Sequence, residues 1–425
     1  MTASIPVAEA CSCSDFRASR RKFLAGMGAG VGGAMVTNLI GDAFQQVAFG
    51  ATAASPNIVV VLSLRGGADG LSMVVPHGDS GYEWARPRIS VPKESLIARD
   101  TMFGLHPQFA PLQKMWDAGQ FAAVHAVGLP APNRSHFTAM EVVEDADPGS
   151  AERCGWINRL VGLSGASDPA EGVQMGGAVV PTSLYGPAPV LGLNSLSDIM
   201  LPGTASEAVP HRRSLDQVWG TARGSLGQGV RSALDVTDHL GFLAQTAPKP
   251  QNGANYPTGN LGDALLNTAT IIRAQIGTRV VTIDYGSWDM HVNLGTVQGG
   301  AMQAMVGELA QALSAFFTDL GTLGNRVTVV TISEFGRRVE ENGDLGLDHG
   351  YGNCMLLLGG GVKGGYHAGW WPGLGSGKLI DGDLAVGRDY RSVFADVLAS
   401  RLPDISIPQV FPGFTPESIG AMTRP

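Results

Sequence analysis

The sequence predicts a three-layer α/β sandwich built on a mostly parallel, doubly wound sheet. Several continuous apolar runs rich in β-branched residues, beginning with residues 57–64, are typical of strands buried on both faces of a parallel sheet. Helix-length segments separate these runs, as the right-handed crossovers between parallel strands require. A chain of 425 residues with 44% hydrophobic and 16% charged residues can also bury a large core.

The predicted elements alternate along the chain. The first strand, 57–64, precedes a predicted helix over 109–119 and a second strand over 121–128. Two short helices are expected next, over 135–146 and 155–165. Later elements are helices over 261–277, 299–323 and 391–402, and strands over 279–286, 326–333 and 353–360. This alternation places helices on both faces of the sheet.

Residues 165–260 differ from the segments around them. They are rich in Gly, Pro, Ser and Asn and show no sustained period, although 188–194 is a candidate strand. We interpret the segment as a loop-rich insertion or cap on a main domain that spans 55–425. With 59 glycines and 25 prolines in the chain, an active site built from loops is expected.

The N-terminal segment 1–54 is predicted to be an export signal and not part of the fold. Arg20 and Arg21 stand directly before an uncharged, mildly apolar stretch over 23–41, which resembles a twin-arginine signal. Small residues then permit cleavage after Ala53 or Ala54. The alternative is a retained membrane anchor, which the six glycines of the stretch weaken. We therefore expect the twin-arginine translocase to export the chain to the periplasm or beyond the cell, without a stable membrane span after cleavage.

Charge and cysteine content exclude some classes of protein. Without residues 1–53 the chain has a net charge of −9, and it lacks a cluster of Lys and Arg, so a nucleic-acid partner is not expected. Only Cys154 and Cys354 remain after cleavage. Two buried thiols and one disulfide are both compatible with their surroundings.

Polar side chains follow the predicted strands at the points where they end. In an open parallel sheet, ligands bind beyond the carboxyl ends of the strands, so these side chains are expected to converge at one edge. The side chains are Arg65 and Asp69, Arg134, Ser135 and His136, Asp289 and His291, Glu334 and Arg337, and Asp348 and His349 just before the last strand.

This set of residue types suits a metal-assisted ester hydrolase. Its candidate metal ligands are Asp69, Asp289, His291, Glu334, Asp348 and His349. Such a mixed oxygen and nitrogen donor set favours Zn²⁺ or Mn²⁺ over Ca²⁺ or Mg²⁺. A hydroxyl beside the ion becomes a nucleophile more easily, and Ser135 is the candidate. Arg65, Arg134 and Arg337 could hold the non-bridging oxygens of a phosphate or sulfate ester.

Six motifs resemble, in order, the secreted bacterial family called domain of unknown function 1501. They are "LRGGADGLSMVVP", "NRSHF", "GWINRL", "SWDMH", "SEFGRRVEENGDLGLDHGYGN" and "LGGGVKGGYHAGWWPGL". The resemblance covers about residues 57–400 and implies a branch of the alkaline phosphatase and sulfatase superfamily, with an α/β sandwich and a site for one or two metal ions.

The resemblance also implies roles for single residues. Asp69 matches the first-strand aspartate of the superfamily, and Ser135 matches its nucleophile. Asp289 and His291 match the mid-chain pair, and His349 matches the last histidine. Where the superfamily has a later Asp-His pair directly after a strand, this chain has Glu334 and Phe335. That departure puts a second metal ion in doubt, and the absence of Cys-x-Pro-x-Arg argues against a formylglycine sulfatase.

Two classes of function therefore remain open. The first is a secreted metal-dependent hydrolase of phosphate, sulfate or phosphonate esters, whose substrate is a small molecule or a polymer. The second is a non-enzymatic extracellular or envelope protein that retains the fold, with at most a structural metal.

Overall fold

The computed structural model describes residues 35–37, 57–147, 153–165, 168–201, 205–367 and 369–424. Apart from the strand Met35–Thr37, the predicted export signal lies outside these residues. Within the described ranges, no helix has the length and apolar character needed to cross a membrane.

The strands are numbered here in chain order. They are β1 Met35–Thr37, β2 Ile58–Leu64, β3 Val74–Val75, β4 Gly104–Leu105, β5 Phe121–Gly128, β6 Gly172–Met175, β7 Val190–Leu193, β8 Val280–Tyr285, β9 Val327–Ile332, β10 Asn353–Gly359, β11 Gly365–Tyr366 and β12 Arg388–Asp389.

The α-helices are numbered in the same way. They are α1 Gly70–Met73, α2 Ser80–Ala85, α3 Gln113–Asp117, α4 His136–Asp145, α5 Trp156–Gly162, α6 Ala205–Trp219, α7 Ser225–Leu240, α8 Asn260–Ala274, α9 Ala301–Leu320, α10 Tyr390–Arg401 and α11 Ile407–Val410. Short 3₁₀ helices cover Lys93–Ser95, Pro107–Leu112, Pro169–Glu171, Thr182–Leu184, Leu196–Ile199, Gly241–Ala244, Gly321–Arg326 and Ser376–Lys378.

The main sheet is mostly parallel, as predicted. Its strand order is β1-β7-β6-β8-β2-β9-β10-β5-β11, and β12 also pairs with β5. The strands β7, β6, β8, β2 and β9 run parallel to one another. In contrast, β10 runs antiparallel to both β9 and β5, and β1 runs antiparallel to β7.

Helices cover both faces of this sheet, which confirms the predicted three-layer sandwich. Along β2, Val60 and Leu62 point into one core layer, whereas Val59 and Val61 point into the other. This alternation follows from the two-residue period of a strand. The first layer is filled from α8 and α9, and the second from α4, α5 and α10.

The segment 165–260 contributes to the main sheet as well as covering it. Both β6 and β7 lie within this segment, and β6 pairs directly with β8. The candidate strand over 188–194 corresponds to β7. Each of these strands has four residues, which is too short to give a hydrophobic period in the sequence. The rest of the segment includes the helices α6 and α7.

The direction of β10 decides where its preceding loop lies. Residues that follow the parallel strands β2, β8, β9 and β5 lie at the carboxyl edge of the sheet. Because β10 is antiparallel to β9, the residues that precede β10 lie at that same edge. The loops after four strands and the loop before a fifth therefore meet.

Candidate metal centre

The loop after β2 approaches the loops after β8 and β9 closely, and two glycines make this possible. Gly66 has a φ of +114°, and a Cβ atom there would lie 2.6 Å from the backbone nitrogen of Asp289. Gly67 has a φ of +69°, and a Cβ atom there would lie 2.6 Å from the ring of Phe335. Only glycine permits these conformations at these distances without strain.

Three side chains from three loops converge at this edge. His136 begins α4, Asp289 follows β8, and His349 precedes β10. His136 Nε2 lies 2.9 Å from His349 Nε2, and Asp289 Oδ1 lies 3.5 Å and 3.2 Å from these two nitrogens. We refer to His136, Asp289 and His349 as the core ligands, because their donor atoms all lie within 4.8 Å of one another.

The other ring nitrogen of each core imidazole is held by an acceptor. His136 Nδ1 lies 2.7 Å from Glu334 Oε1, and His349 Nδ1 lies 2.9 Å from the carbonyl oxygen of Arg134. Carboxylate and carbonyl oxygens only accept hydrogen bonds, so both Nδ1 atoms carry the proton. In the neutral rings, Nε2 is then an acceptor. Such outer hydrogen bonds are typical of histidines that bind metals.

The core ligands therefore direct acceptor atoms at one another. A proton on one Nε2 atom would allow one hydrogen bond, but the other pairs of acceptor atoms would still face each other without a hydrogen between them. A cation between the three acceptor atoms can bind all of them. A tetrahedral Zn²⁺ ion, with bonds of about 2.0 to 2.1 Å, separates its ligand atoms by about 3.3 Å. The observed separations of 2.9 to 3.5 Å fit this geometry.

His291 provides a further donor beside the core. Its Nε2 lies 3.0 Å from His349 Nε2 and 3.0 Å from Asp289 Oδ1. Its Nδ1 lies 3.0 Å from Asp348 Oδ1, and this hydrogen bond is the chief cause that lowers the pKa of Asp348. Asp348 thus orients His291.

Asp289 remains ionised at neutral pH. Partial burial would raise its pKa, but the hydrogen bond and charge of Arg337 outweigh this effect and lower the pKa of Asp289 to about 2. Arg337 Nη2 donates to Asp289 Oδ1 over 2.6 Å. The carboxylate is therefore available as an anionic ligand over the whole physiological range.

An open pocket of about 590 Å³ adjoins the core ligands and is lined in part by His136 and Asp289. Arg65 lies in its wall, hydrogen-bonded to Asp284 and paired with Glu144. Phe137 also lines it, and its side chain is 90% exposed. The centre therefore opens onto a space that can admit a ligand with both polar and apolar parts.

Two of the predicted metal ligands have other roles in the structure. Asp69 is buried, forms a double hydrogen bond with Arg86 over 2.5 and 3.0 Å, and caps α1. Its charge is therefore already neutralised, and it does not join the core ligands. Glu334 is also buried and accepts from His136 Nδ1 and from the backbone N–H of Gly66 over 2.8 Å. It orients a ligand and links two loops.

The predicted catalytic residues differ in whether they face the pocket. Arg134 pairs with Asp383, and Arg337 is buried among backbone carbonyls, so neither presents a free guanidinium to the pocket. Arg65 is the predicted arginine that lines the pocket, and its Nε and Nη2 are paired with Asp284 and Glu144, which leaves Nη1 for a ligand. Ser135 is exposed at the N-cap of α4, directly before His136, and its side chain makes no capping hydrogen bond.

His136 is the core residue that the sequence-based ligand set lacks. The motif "NRSHF" contains both Ser135 and His136. A single histidine beside a serine does not reveal which of the two faces the site. Phe335, at the position where the superfamily resemblance implies a histidine, packs with its ring centroid 4.9 Å from His136 and 4.8 Å from His349.

Neither cysteine belongs to the centre. Cys354 is a free thiol, so no disulfide joins it to Cys154. Cys354 lies on β10, and burial raises the pKa of its thiol. Of the two alternatives open at the sequence level, the disulfide between these cysteines is absent, and Cys154 is only partly buried.

The fold and the centre together define a three-layer α/β protein with a candidate metal site at the carboxyl edge of its sheet. The chain belongs to the family described as Protein of unknown function (DUF1501), whose model matches residues 125–384. This match confirms the resemblance drawn from the motifs, and it includes all three core ligands. No curated protein matches the chain.

Several solved structures are similar to this chain. The C-terminal periplasmic domain of EcEptC from Escherichia coli, in complex with Zn, is 11% identical, with a TM-score of 0.32 and coverage of 75% of this chain and 77% of that one. Alkaline phosphatase from the Antarctic bacterium TAB5 is 9% identical, with a TM-score of 0.31 and coverage of 74% and 95%. The lipoteichoic acid synthase LtaP from Listeria monocytogenes is 8% identical, with a TM-score of 0.29 and coverage of 80% and 78%.

Proposed function

We propose that this protein is an exported, metal-dependent hydrolase of phosphate, sulfate or phosphonate esters. The observation that supports it is the convergence of His136 Nε2, His349 Nε2 and Asp289 Oδ1 beside an open pocket. Opposed acceptor atoms destabilise a folded protein unless a cation lies between them. A site that keeps this arrangement is therefore suited to binding an ion.

The core ligands suit Zn²⁺ or Mn²⁺ better than Ca²⁺ or Mg²⁺, because two of the three donors are imidazole nitrogens. Bound there, such an ion would act as a Lewis acid toward an ester oxygen and ease the ionisation of a nearby hydroxyl. Three protein ligands would leave a position for substrate, as catalytic zinc sites do.

Ser135 is the proposed nucleophile. Its hydroxyl is exposed, makes no capping hydrogen bond and is adjacent in sequence to His136. Attack of Ser135 Oγ on the phosphorus or sulfur atom would break the bond to the leaving alcohol, which takes up a proton as it departs. Water would then hydrolyse the ester formed on Ser135 and restore the hydroxyl. Arg65, in the pocket wall, would hold a non-bridging oxygen of the substrate.

The test combines elemental analysis with hydrolysis assays on aryl phosphate, sulfate and phosphonate esters. The wild type should contain a divalent metal and hydrolyse at least one class of ester, and a chelator should abolish the activity. His349→Ala should lose both metal and turnover, because it removes a ligand. Ser135→Ala should keep the metal and lose turnover. His367→Ala is the matched control, since the His367 ring contacts the backbone oxygen of Lys363 outside the centre.

The rival function is that of a non-enzymatic envelope or extracellular protein with a structural metal. One observation favours it: His291 Nε2 lies 3.0 Å from two of the three core donor atoms, and four protein ligands are typical of structural zinc sites. Wild-type protein that binds metal but hydrolyses none of the esters after loading with Zn²⁺ or Mn²⁺ would support this rival.

A further inference from the structure

Asp289 is shared between two sets of donors. Its Oδ1 lies within 3.5 Å of both core imidazoles, and it also lies 3.0 Å from Nε2 of His291. A carboxylate in contact with two groups of ligands is what a site for two neighbouring metal ions requires. His291 is the further donor that could serve a second ion beside the core, and Asp348 holds its other ring nitrogen.

Arg337 places its guanidinium against those same atoms. Its Nη2 donates to Asp289 Oδ1 over 2.6 Å, and its Nη1 lies 3.4 Å from His291 Nε2. A guanidinium stays protonated throughout the range of pH in which proteins fold. The two atoms that a second ion would share therefore already face a fixed positive charge.

The guanidinium of Arg337 is held in place from several sides. It is 1% exposed, and besides Asp289 and His291 it donates to backbone carbonyls in the loops that follow β2 and β8 and in the loop that precedes β10. These carbonyls belong to Gly66, Gly67, Trp288 and Leu347. Moving the side chain aside would leave several buried carbonyl groups without a partner, which is costly. Arg337 therefore cannot easily make room for an ion.

We infer that Arg337 supplies a fixed positive charge in place of a second metal ion, so that the centre binds a single divalent cation. The guanidinium contacts Asp289 and His291, and its charge repels a second ion beside His291. The first ion is held by His136 and His349 together with Asp289. This inference rests on the metal centre of the proposed function, and it does not depend on whether esters are hydrolysed.

The test measures how many Mn²⁺ ions the full-length protein binds. Metal-free protein is titrated with Mn²⁺, the bound metal is quantified by elemental analysis, and the electron paramagnetic resonance spectrum is recorded. One equivalent with the hyperfine pattern of an isolated Mn²⁺ ion is expected. Arg337→Lys keeps the charge and should also bind one equivalent. Arg337→Gln removes the charge and should take up a second equivalent.

Arg338→Gln is the matched control, because Arg338 is the next residue, is 40% exposed and pairs with Asp383 outside the core. It should bind one equivalent. Two equivalents or a spin-coupled pair in the wild type would overturn the inference, even if Arg337→Gln does not fold. A folded Arg337→Gln that still binds one equivalent with unchanged affinity would also overturn it. Wild type with one ion and no esterase activity would remove the proposed hydrolase and leave the inference standing.

Discussion

Glu334 links the core ligand His136 to the buried residues around it. Its Oε1 accepts from His136 Nδ1 and from the backbone of Gly66, while Oε2 accepts from Ser333 Oγ over 3.1 Å. The charge on this buried carboxylate makes His136 a better donor to a metal and fixes the orientation of its ring. Glu334 therefore acts as a positioning residue for the core ligands.

Replacing Glu334 should weaken metal binding without abolishing it. Glu334→Gln keeps the size of the side chain and an acceptor oxygen but removes the charge, so metal affinity should fall on the order of 10- to 100-fold. Competition with a chromophoric chelator measures this affinity. Glu340→Gln, a change at an exposed glutamate in the same loop, is the control and should bind metal like the wild type. Equal affinities in the two variants would show that Glu334 has no such role.

Single residues at the site were only partly predictable from the sequence. Asp289 and His349 were predicted as ligands, and both lie in the core. Asp69 has the same chemistry, but its role depends on Arg86, which the sequence does not place beside it. The sequence does not single out His136 as a ligand, because its neighbour Ser135 is an equally plausible site residue. Side-chain direction at a loop end depends on tertiary contacts that residue type does not encode.

The turn after β2 packs closely against the loop that carries Asp289 and constrains its position. Gly66 adopts a φ of +114°, with no room for a Cβ atom against the loop that carries Asp289. Gly66→Ala should therefore lower the free energy of unfolding by about 1 to 3 kcal/mol and also weaken metal binding, because it displaces the loop of a core ligand.

Chemical denaturation and metal titration of Gly66→Ala test this expectation. Gly377→Ala is the control, because a Cβ atom at Gly377 meets nothing within 4 Å. That variant should unfold and bind metal like the wild type. If Gly66→Ala matched Gly377→Ala in both measurements, the close approach of the two loops would not constrain the centre.

Most elements were predictable, and the exceptions have physical reasons. Long apolar runs such as β2, β5 and β9 were predicted to within one or two residues, because a strand buried on both faces needs continuous apolar sequence. The strand β6 has only four residues, and its sheet partners decide its conformation. The equally short β7 corresponds to the candidate strand over 188–194. The antiparallel direction of β10 is likewise set by its neighbours. This direction brings His349 to the site.

Two buried histidines should make the stability of the whole molecule depend on pH. Burial lowers the pKa of His106 and of His125 to about 4, from an ordinary value of 6.5. The unfolded chain therefore binds protons at a higher pH than the folded chain, so stability is full above about pH 6.5 and falls as the pH decreases toward about 4. Between pH 7 and pH 5, each histidine should lower the free energy of unfolding by about 2 kcal/mol.

Urea unfolding at several pH values, with a chelator present so that metal release does not contribute, measures this dependence. His125→Phe should retain the ring stack on Phe103, whose centroid lies 4.5 Å away, and should reduce the loss of stability between pH 7 and pH 5. His239→Gln, at an exposed histidine, should leave the loss unchanged. The same loss in all three proteins would mean that His125 does not contribute.

The N-terminal segment predicts the location of the protein in the cell. A twin-arginine signal directs folded proteins, so a metal could bind before the chain leaves the cytoplasm. Replacing Arg20 and Arg21 together by Lys preserves the charge but removes the arginine pair, and it should retain the protein in the cytoplasm. Arg17→Lys, outside the pair, is the control and should be exported normally.

Cell fractionation and N-terminal sequencing separate the outcomes of this export experiment. Exported wild-type protein should begin at Ala54 or Ser55, because the small residues before these positions are suited to cleavage. A retained anchor would instead leave the segment 23–41 on a protein that fractionates with the membrane. Unchanged export of the double Lys variant would contradict the twin-arginine interpretation. That result would not contradict the proposed metal centre, because all three core ligands lie after residue 135, outside the signal segment.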